Sequence, residues 1–480
     1  MQSVVVHGHF YQPPREDPWR NEVELEPGAA PFHDWNARIS HECYEPFAAA
    51  RLLDPAGHVQ GTINLYEWVS FDAATTLLQW LEPHAPEVYR AMLEADRASA
   101  RRLGGHGNAV AMPWHHLILP LASRRDKVTE VRWGLADFRR RFARDAEGMW
   151  LPETAVDEET LVVLAEAGLR FTILAPHQVA NPPADGRPLR FDAGGGRTIA
   201  LFIYDGPLAS DSAFGPLLTN ADDLARRLAP GAADTAHRGP APAIASLAVD
   251  GETFGHHHKF AEMALARAVA VLRQRAGVRI ENYSSALRRF PPREDAQLVE
   301  PSSWSCPHGI ERWRANCGCR TAPGMTQEWR RPLRAALNWL SRELDERFET
   351  GTATLFDDAW GVRDAFGEAA ALPDADRLAF VDARVRTGAD AARALRLLDA
   401  ARSRLGMFGS CAWFFDDVAG LETVLMLRLA AHAMDLTGDA TLEPRFIQRL
   451  VLAQSNDAAE GDAAQVYRGR VMPLRARPAA

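Results

Sequence analysis

Two acids in unusual settings stand out as residues able to do chemistry. In the stretch Gly148–Asp157, GMWLPETAVD, Glu153 follows the aromatic-apolar run Met149, Trp150, Leu151 and Pro152. In a later run, Ile244–Val249, the apolar residues end in Asp250, Gly251, Glu252, Thr253, Phe254, Gly255 and three histidines. Two carboxylates are the minimum set for acid/base work on a glycosidic bond. In hydrolysis with retention, one attacks the anomeric carbon; the other protonates the leaving oxygen and later activates water. They must hold different protonation states at one pH, so their surroundings must differ. Trp150 and Pro152 flank Glu153. Gly251 beside Asp250 would admit a sugar closely, and Glu252 and His256 would tune its pKa. A single acid at a strand end is more often a cap or an ion-pair partner. Two on separate strands, with His and Trp around both, point to a site.

Other polar clusters compete for a role. Ser3–Val6 ends in His7-Gly8-His9, read either as a strand end facing a site or as two structural histidines at a turn. His106, Asn108 and His116 lie in a segment of small residues, GHGNAVAMPWHH, suited to close backbone approach to a ligand. Most of the 13 Trp are core, but Trp35, Trp68, Trp114, Trp150, Trp304 and Trp313 sit beside polar residues and could stack on a sugar face. A metal reading would draw on His7, His9, His106, His116, Asp250 and His256–His258. Successive histidines do not face one point, so that triplet alone is a weak signal. Cys306-x-His308 with Cys317-x-Cys319 makes a better zinc set of unusual spacing; the alternative is reduced thiols packed in a tight loop.

These residues need elements to position them. Strands are expected at Ser3–Val6, from Gly61, at Arg170–Leu174, Thr198–Tyr204, Ile244–Val249 and Arg279–Tyr283. Helices are expected at 73–81, 83–103, 123–146, 157–168, 220–229 and 259–276. Alternation of this kind, with strands ending in polar residues, predicts a parallel sheet or barrel. Residues 15–45 read as a long loop over its mouth, with Asp34, Trp35, Asn36 and Arg38 as possible ligand contacts, and 230–242 as a surface loop. Beyond a loop-rich stretch at 290–325 the chain turns helical, at 326–349, 353–369, 375–404, 411–436 and 442–455. The tail after Ser455 is polar and Ala-rich and is expected to be poorly ordered at its end. The expected division is a barrel at 1–290, a Cys/Trp-rich segment over the active site at 291–325, and a helical domain at 326–480.

A chain of 480 residues is too long for one small core. A net charge of -9 argues against nucleic acid as the main partner. No apolar run approaches about 18 residues, so no membrane span is expected. Five Cys do not make a disulfide scaffold, and with no signal-like start the expected compartment is the cytoplasm.

The motifs resemble those of glycoside hydrolase family 57, in its subgroup with a C-terminal DUF3536 domain. His9 with Gln12-Pro13 resembles the first motif, although Phe10 and Tyr11 intervene. Gly105–Leu121, with His116, resembles the second; Trp150–Glu153 the third; Asp250–His256 the fourth. A fifth motif is not clearly matched; SWSCPHGIERW and CGC stand in its place. The resemblance implies an α/β fold, a distorted (β/α)7 barrel followed by a helical region that completes the cleft. It implies retaining chemistry on α-glucans, by hydrolysis or glucan transfer, with no cofactor and no catalytic metal. It makes Glu153 the nucleophile and Asp250 the acid/base, with His9, His116, Glu252 and His256 orienting sugar hydroxyls. His7, Gln12, Trp35, His106, Asn108, Trp150, Trp304, His308 and Trp313 complete the expected substrate contacts. Two other classes stay open: a metal-dependent, deacetylase- or mannosidase-like enzyme on a related barrel, and a non-catalytic glycan-binding protein. Oligomeric state is not indicated.

Overall fold

A computed structural model describes residues 2–54, 56–230 and 241–475. Most of the loop expected at 230–242, and the last residues of the tail, lie outside the described residues. The first strand, Gln2–Phe10, is buried on both faces from Ser3 to Phe10, with the apolar run Val4–Val6 at its centre and His7 and His9 buried beyond it. Ile244–Asp250 pairs with it on one side, and Ser70–Ala73 on the other. From Ser70–Ala73 the pairing passes to Ala109–Val110, then by single parallel bridges through Ala111–Met149 and Gly148–Phe171, then to Phe171–Leu174 and Arg197–Ile203. The Asp205 N–H donates to the Ser246 carbonyl at 2.8 Å, which returns the circuit to Ile244–Asp250. The result is a distorted seven-stranded parallel barrel. Two of its strands are short, and its last seam is thin.

Some expectations move. Val278–Ile280 pairs only with Gln2–Val4 at the base of the first strand, and Tyr283 opens a helix, so the last predicted strand is a brace and not a barrel stave. The strand predicted from Gly61 belongs to a separate hairpin, Ala50–Leu53 with Val59–Ile63, while the barrel takes Ser70–Ala73. Residues 15–45 are less loop-like than expected. Asp34 accepts from the Ala37 N–H and starts the helical run Trp35–Ile39, which continues through Ser40–Tyr44.

The helical region packs Arg330–Thr352, Ala391–Gly406, Leu421–Thr437 and Leu442–Leu450 around Trp329, Leu337, Trp413, Leu427 and Phe446. The helix predicted over 375–404 breaks into Asp374–Asp382 and Ala391–Gly406, with Gly388 at φ +80° between them. Within the tail, Ala463–Arg470 is helical, Tyr467 is fully buried, and its hydroxyl donates to Glu443. The helical region is tied to the barrel. Trp133, on the barrel helix Arg124–Phe142, donates to the Arg363 carbonyl at 2.7 Å, and Asp126 on that helix pairs with both Arg363 and Arg404. No helix among the described residues is long and apolar enough to cross a membrane.

Candidate active site

Parallel strands end on one face, and that face collects the side chains with chemistry. Register places His9 opposite Asp72 on one neighbouring strand and opposite Asp250 on the other. His9 Nδ1 lies 2.7 Å from Asp72 Oδ2, and His7 Nε2 lies 2.9 Å from Asp72 Oδ1. Burial alone would lower the pKa of His9. The charge and hydrogen bond of Asp72, followed by Asp250 and Glu252, outweigh it and raise His9 to about 9. His9 is therefore a cation at neutral pH and donates from both nitrogens. Its Nε2 lies 3.2 Å from His116 Nε2. Burial and then His9 push His116 well below the usual imidazole range, so His116 is the neutral acceptor. Its Nδ1 is then protonated and donates to Ser410 Oγ at 2.6 Å. Tyr11 stacks on His116 with ring centroids 3.8 Å apart.

Asp250 stands at the exit of its strand. Burial is the main cause that raises its pKa to about 7; His9 opposes the rise, and Glu252 and Glu153 add to it. Glu252 is also raised by burial, although Tyr44 Oη donates to it at 2.6 Å and the Tyr11 N–H at 3.2 Å.

Glu153 is held differently. It sits at φ 57°, ψ 20°, and Thr154 follows at φ 46°. Two successive left-handed non-glycine residues store on the order of 1–3 kcal/mol each. Gln178 clamps them: it accepts from Thr154 Oγ1 and donates to the Thr154 carbonyl, both at 2.8 Å. Trp304 Nε1 and Ser305 Oγ donate to Glu153 Oε2 at 3.0 and 2.6 Å. Oε1 has no donor among the described residues, so its lone pairs are available to a ligand.

The remaining candidates separate. Trp150 is fully buried and stacks beneath both His7 and His9, at 4.8 and 5.2 Å, so it is a floor under the site. His7, also fully buried, props Asp72 from below and does not face a ligand. Gln12 donates to Tyr44 and accepts from Arg15, one layer behind the wall. His256 pairs with Glu42 at 2.5 Å and meets the edge of Trp35, whose ring carries Arg38; this group forms the rim. His106 and Asn108 precede their strand and lie toward the opposite end of the barrel, where His106 meets Glu147 and Asn108 meets Asn282 and the Tyr66 carbonyl. Trp114 and Trp313 are buried in helical packing, and Trp68 is sandwiched between Arg102 and Arg273, so none of the three is a stacking platform. His308 lies with three cysteines. Gly251 makes room for Phe10 rather than a sugar: a Cβ there would lie 2.3 Å from that ring.

Asp72, Tyr11, Tyr44, Ser305 and Ser410 were not among the sequence candidates. Asp72 carried a usable signal, since an apolar run ending in an acid is the rule that found Asp250.

Comparison with known proteins identifies the family. The model for Glycosyl hydrolase family 57 matches residues 28–298, and a domain of unknown function, DUF3536, matches 325–479. A 4-alpha-glucanotransferase of Thermococcus litoralis is 22% identical over 244 residues, which cover 48% of this chain and 35% of the relative. The match thus spans about a third of that curated relative. An exo-type maltose-forming amylase from Pyrococcus sp. ST04 superimposes with a TM-score of 0.71 at 16% identity, covering 94% of this chain and 83% of the other. A branching enzyme of Thermococcus kodakaraensis superimposes with 0.56 at 13% identity, covering 98% and 95%. Those two likenesses concern the fold. The family match covers more than half of the chain, and with it the chain belongs to glycosyl hydrolase family 57.

Proposed function

We propose that the protein is a retaining, α-glucan-active glycosidase or glucanotransferase, with Glu153 as nucleophile and Asp250 as acid/base. One observation carries this reading: the two carboxylates are close enough for the charge of Glu153 to act on Asp250, and they are held in opposite conditions. Burial holds Asp250 protonated up to about pH 7, whereas Glu153 is gripped through one oxygen by two donors and keeps the other open. An acid that carries a proton and a carboxylate that presents a lone pair are the two partners double displacement requires. In the first half-reaction Glu153 Oε1 bonds to the anomeric carbon as the glycosidic bond breaks, and the Asp250 proton goes to the leaving oxygen. In the second, Asp250 takes a proton from water or from a glucan hydroxyl, whose oxygen displaces Glu153. Hydrolysis and transfer share the glycosyl-enzyme and differ only in the acceptor. We assign His9, His116, Tyr11 and Glu252 to hydroxyls of the sugar being cleaved, with the sugar taking over the hydrogen bond that His9 Nε2 and His116 Nε2 make to each other. The α-glucan assignment is supported by the family, and by the named activities of the glucanotransferase, amylase and branching enzyme.

Nothing in the geometry of this site favours a metal-dependent reading: among the described residues, the group of three or more metal-type donors gathered at one point is Cys306, His308, Cys317 and Cys319.

The experiment is a product screen on glycogen and maltooligosaccharides by mass spectrometry, with the anomer first released followed by NMR. The reading expects α-products from α-substrates and a loss of about 10³-fold or more in Glu153→Gln and Asp250→Asn with the fold intact. A first-formed β-anomer, or near-normal turnover in either variant, would sink it.

A further inference from the structure

Apart from the carboxylate site, one cluster has the make-up of a ligand site. Cys306, His308, Cys317 and Cys319 bring one donor atom each to within 4.8 Å of all the others. Cys306 Sγ lies 3.9 Å from Cys317 Sγ and 3.8 Å from Cys319 Sγ, and Cys319 Sγ lies 3.6 Å from His308 Nδ1. A tetrahedron with metal–sulfur bonds of about 2.3 Å and a metal–nitrogen bond of about 2.0 Å has sulfur–sulfur edges of about 3.8 Å and sulfur–nitrogen edges of about 3.5 Å. The three observed edges match those lengths. We propose that these four residues hold one structural Zn²⁺ in a closed Cys₃His site.

The backbone is shaped for it. Both ligand pairs skip one residue, and the residue between Cys317 and Cys319 is Gly318 at φ +85°. Gly309, next to His308, is at φ +80°, and a Cβ there would lie 2.5 Å from the Pro301 carbonyl oxygen. The charge also balances. Binding releases three thiol protons to solvent, and three thiolates around Zn²⁺ leave a net charge of −1. Two buried arginines face this loop without a carboxylate ion pair among the described residues. Arg330 donates to the Cys319 carbonyl at 2.8 Å, and Arg312 donates to the Ser305 carbonyl at 3.2 Å. A buried cation with no paired carboxylate is costly; the charge of Asp416 acts on Arg330 without forming an ion pair, and an anionic centre beside the loop adds to that balance.

The site has a consequence for the cleft. Cys306 directly follows Trp304 and Ser305, the two donors to Glu153, and Ser303 Oγ donates to the Gly309 carbonyl inside the same loop. The zinc would thus staple the strap that carries those donors. It is a positioning device whose ligands bond to neither Glu153 nor Asp250, and its existence does not depend on Glu153 being the nucleophile.

Metal analysis of the full-length chain, isolated without added metal or chelator, tests this. One zinc per chain is expected, reduced to background in Cys317→Ser and Cys319→Ser. X-ray absorption should show three sulfur scatterers at about 2.3 Å and one nitrogen at about 2.0 Å. If the variants fold poorly, wild-type protein stripped of zinc and loaded with Co²⁺ gives the same answer, through the visible bands of tetrahedral cobalt and near-ultraviolet thiolate charge transfer. Stripping should also open the strap to trypsin at the exposed Arg314 and Arg320. Protein free of zinc that also takes up no cobalt in thiolate coordination, zinc retained in both variants, or a disulfide between any two of the three cysteines in alkylation-trapped protein would each overturn the proposal.

Discussion

Asp72 holds His9 by a 2.7 Å bond to Nδ1 while its other oxygen holds His7 at 2.9 Å. The cation of His9 rests chiefly on that buried carboxylate, whereas the neutral state of His116 comes first from burial and only then from His9. Asp72→Asn can accept from one imidazole only and carries no charge. A charge-assisted hydrogen bond contributes about 1.5–3 kcal/mol, so kcat/KM is expected to fall about 10- to 100-fold. Tested alongside, His7→Gln should weaken activity less, since His7 touches Asp72 and not the cleft. Equal losses in the two would remove His9 from the centre of this account.

The pH profile follows from Asp250. A general acid must start protonated, and burial sets its pKa at about 7, so kcat/KM should decline as pH rises through about 7. His9 pulls that pKa down and Glu252 pushes it up. His9→Gln should therefore move the alkaline limb to higher pH, and Glu252→Gln to lower pH, whatever either does to the maximum rate. A limb that stays in place in both variants would assign the titration to another group.

The same shift predicts a stability effect. Asp250 titrates at about 7 in the folded chain against an ordinary 3.8. The folded state thus binds this proton more tightly than the unfolded state. Its contribution is full below about pH 4 and is lost as pH rises to about 7. Asn carries no such loss. Asp250→Asn should melt higher than wild type at pH 8, by on the order of 2 °C or more, and the gap should shrink toward pH 4. Thermal scans at the two pH values decide it.

How legible all this was depends on whether a residue's partners lie close in the chain. Glu153 and Asp250 could be read because each closes an apolar run, and a strand end carries its own address. Asp72 obeys the same rule but follows a run of only a few residues, inside what looked like a loop. Ser410 and Tyr44 are different. Each reaches the site from an element whose local sequence says nothing of His116 or Glu252; only packing of the helical region and of the 35–44 wall brings them in. The misplaced tryptophans fail for a related reason. A Trp beside a charged residue can be a sugar platform or, as with Trp68 between two arginines, a cation–π pair, and the sequence around it is the same. His106 and Asn108 lie in a segment that does reach the site, but through His116, beyond the strand; the strand's direction puts what precedes it toward the opposite end.

Glycine 251 gives the sharpest packing test. Its Cβ position lies 2.3 Å from the Phe10 ring, and Phe10 is fully buried among Tyr44, Phe47 and Tyr66 at 5.3–5.9 Å. A methyl group there cannot be met by a flexible side chain swinging away; the ring or the backbone after Asp250 must shift. Overpacking of this kind costs about 1–3 kcal/mol, and any backbone shift moves the acid with it, so Gly251→Ala should lose both stability and kcat. Shrinking the ring separates the two causes. If Phe10 is the obstacle, Phe10→Leu with Gly251→Ala should be more stable than the sum of the single changes, with a coupling above about 0.5 kcal/mol in denaturant unfolding. Strict additivity would mean that the space beside Asp250 is not set by Phe10, and would return Gly251 to its first reading as room for the sugar.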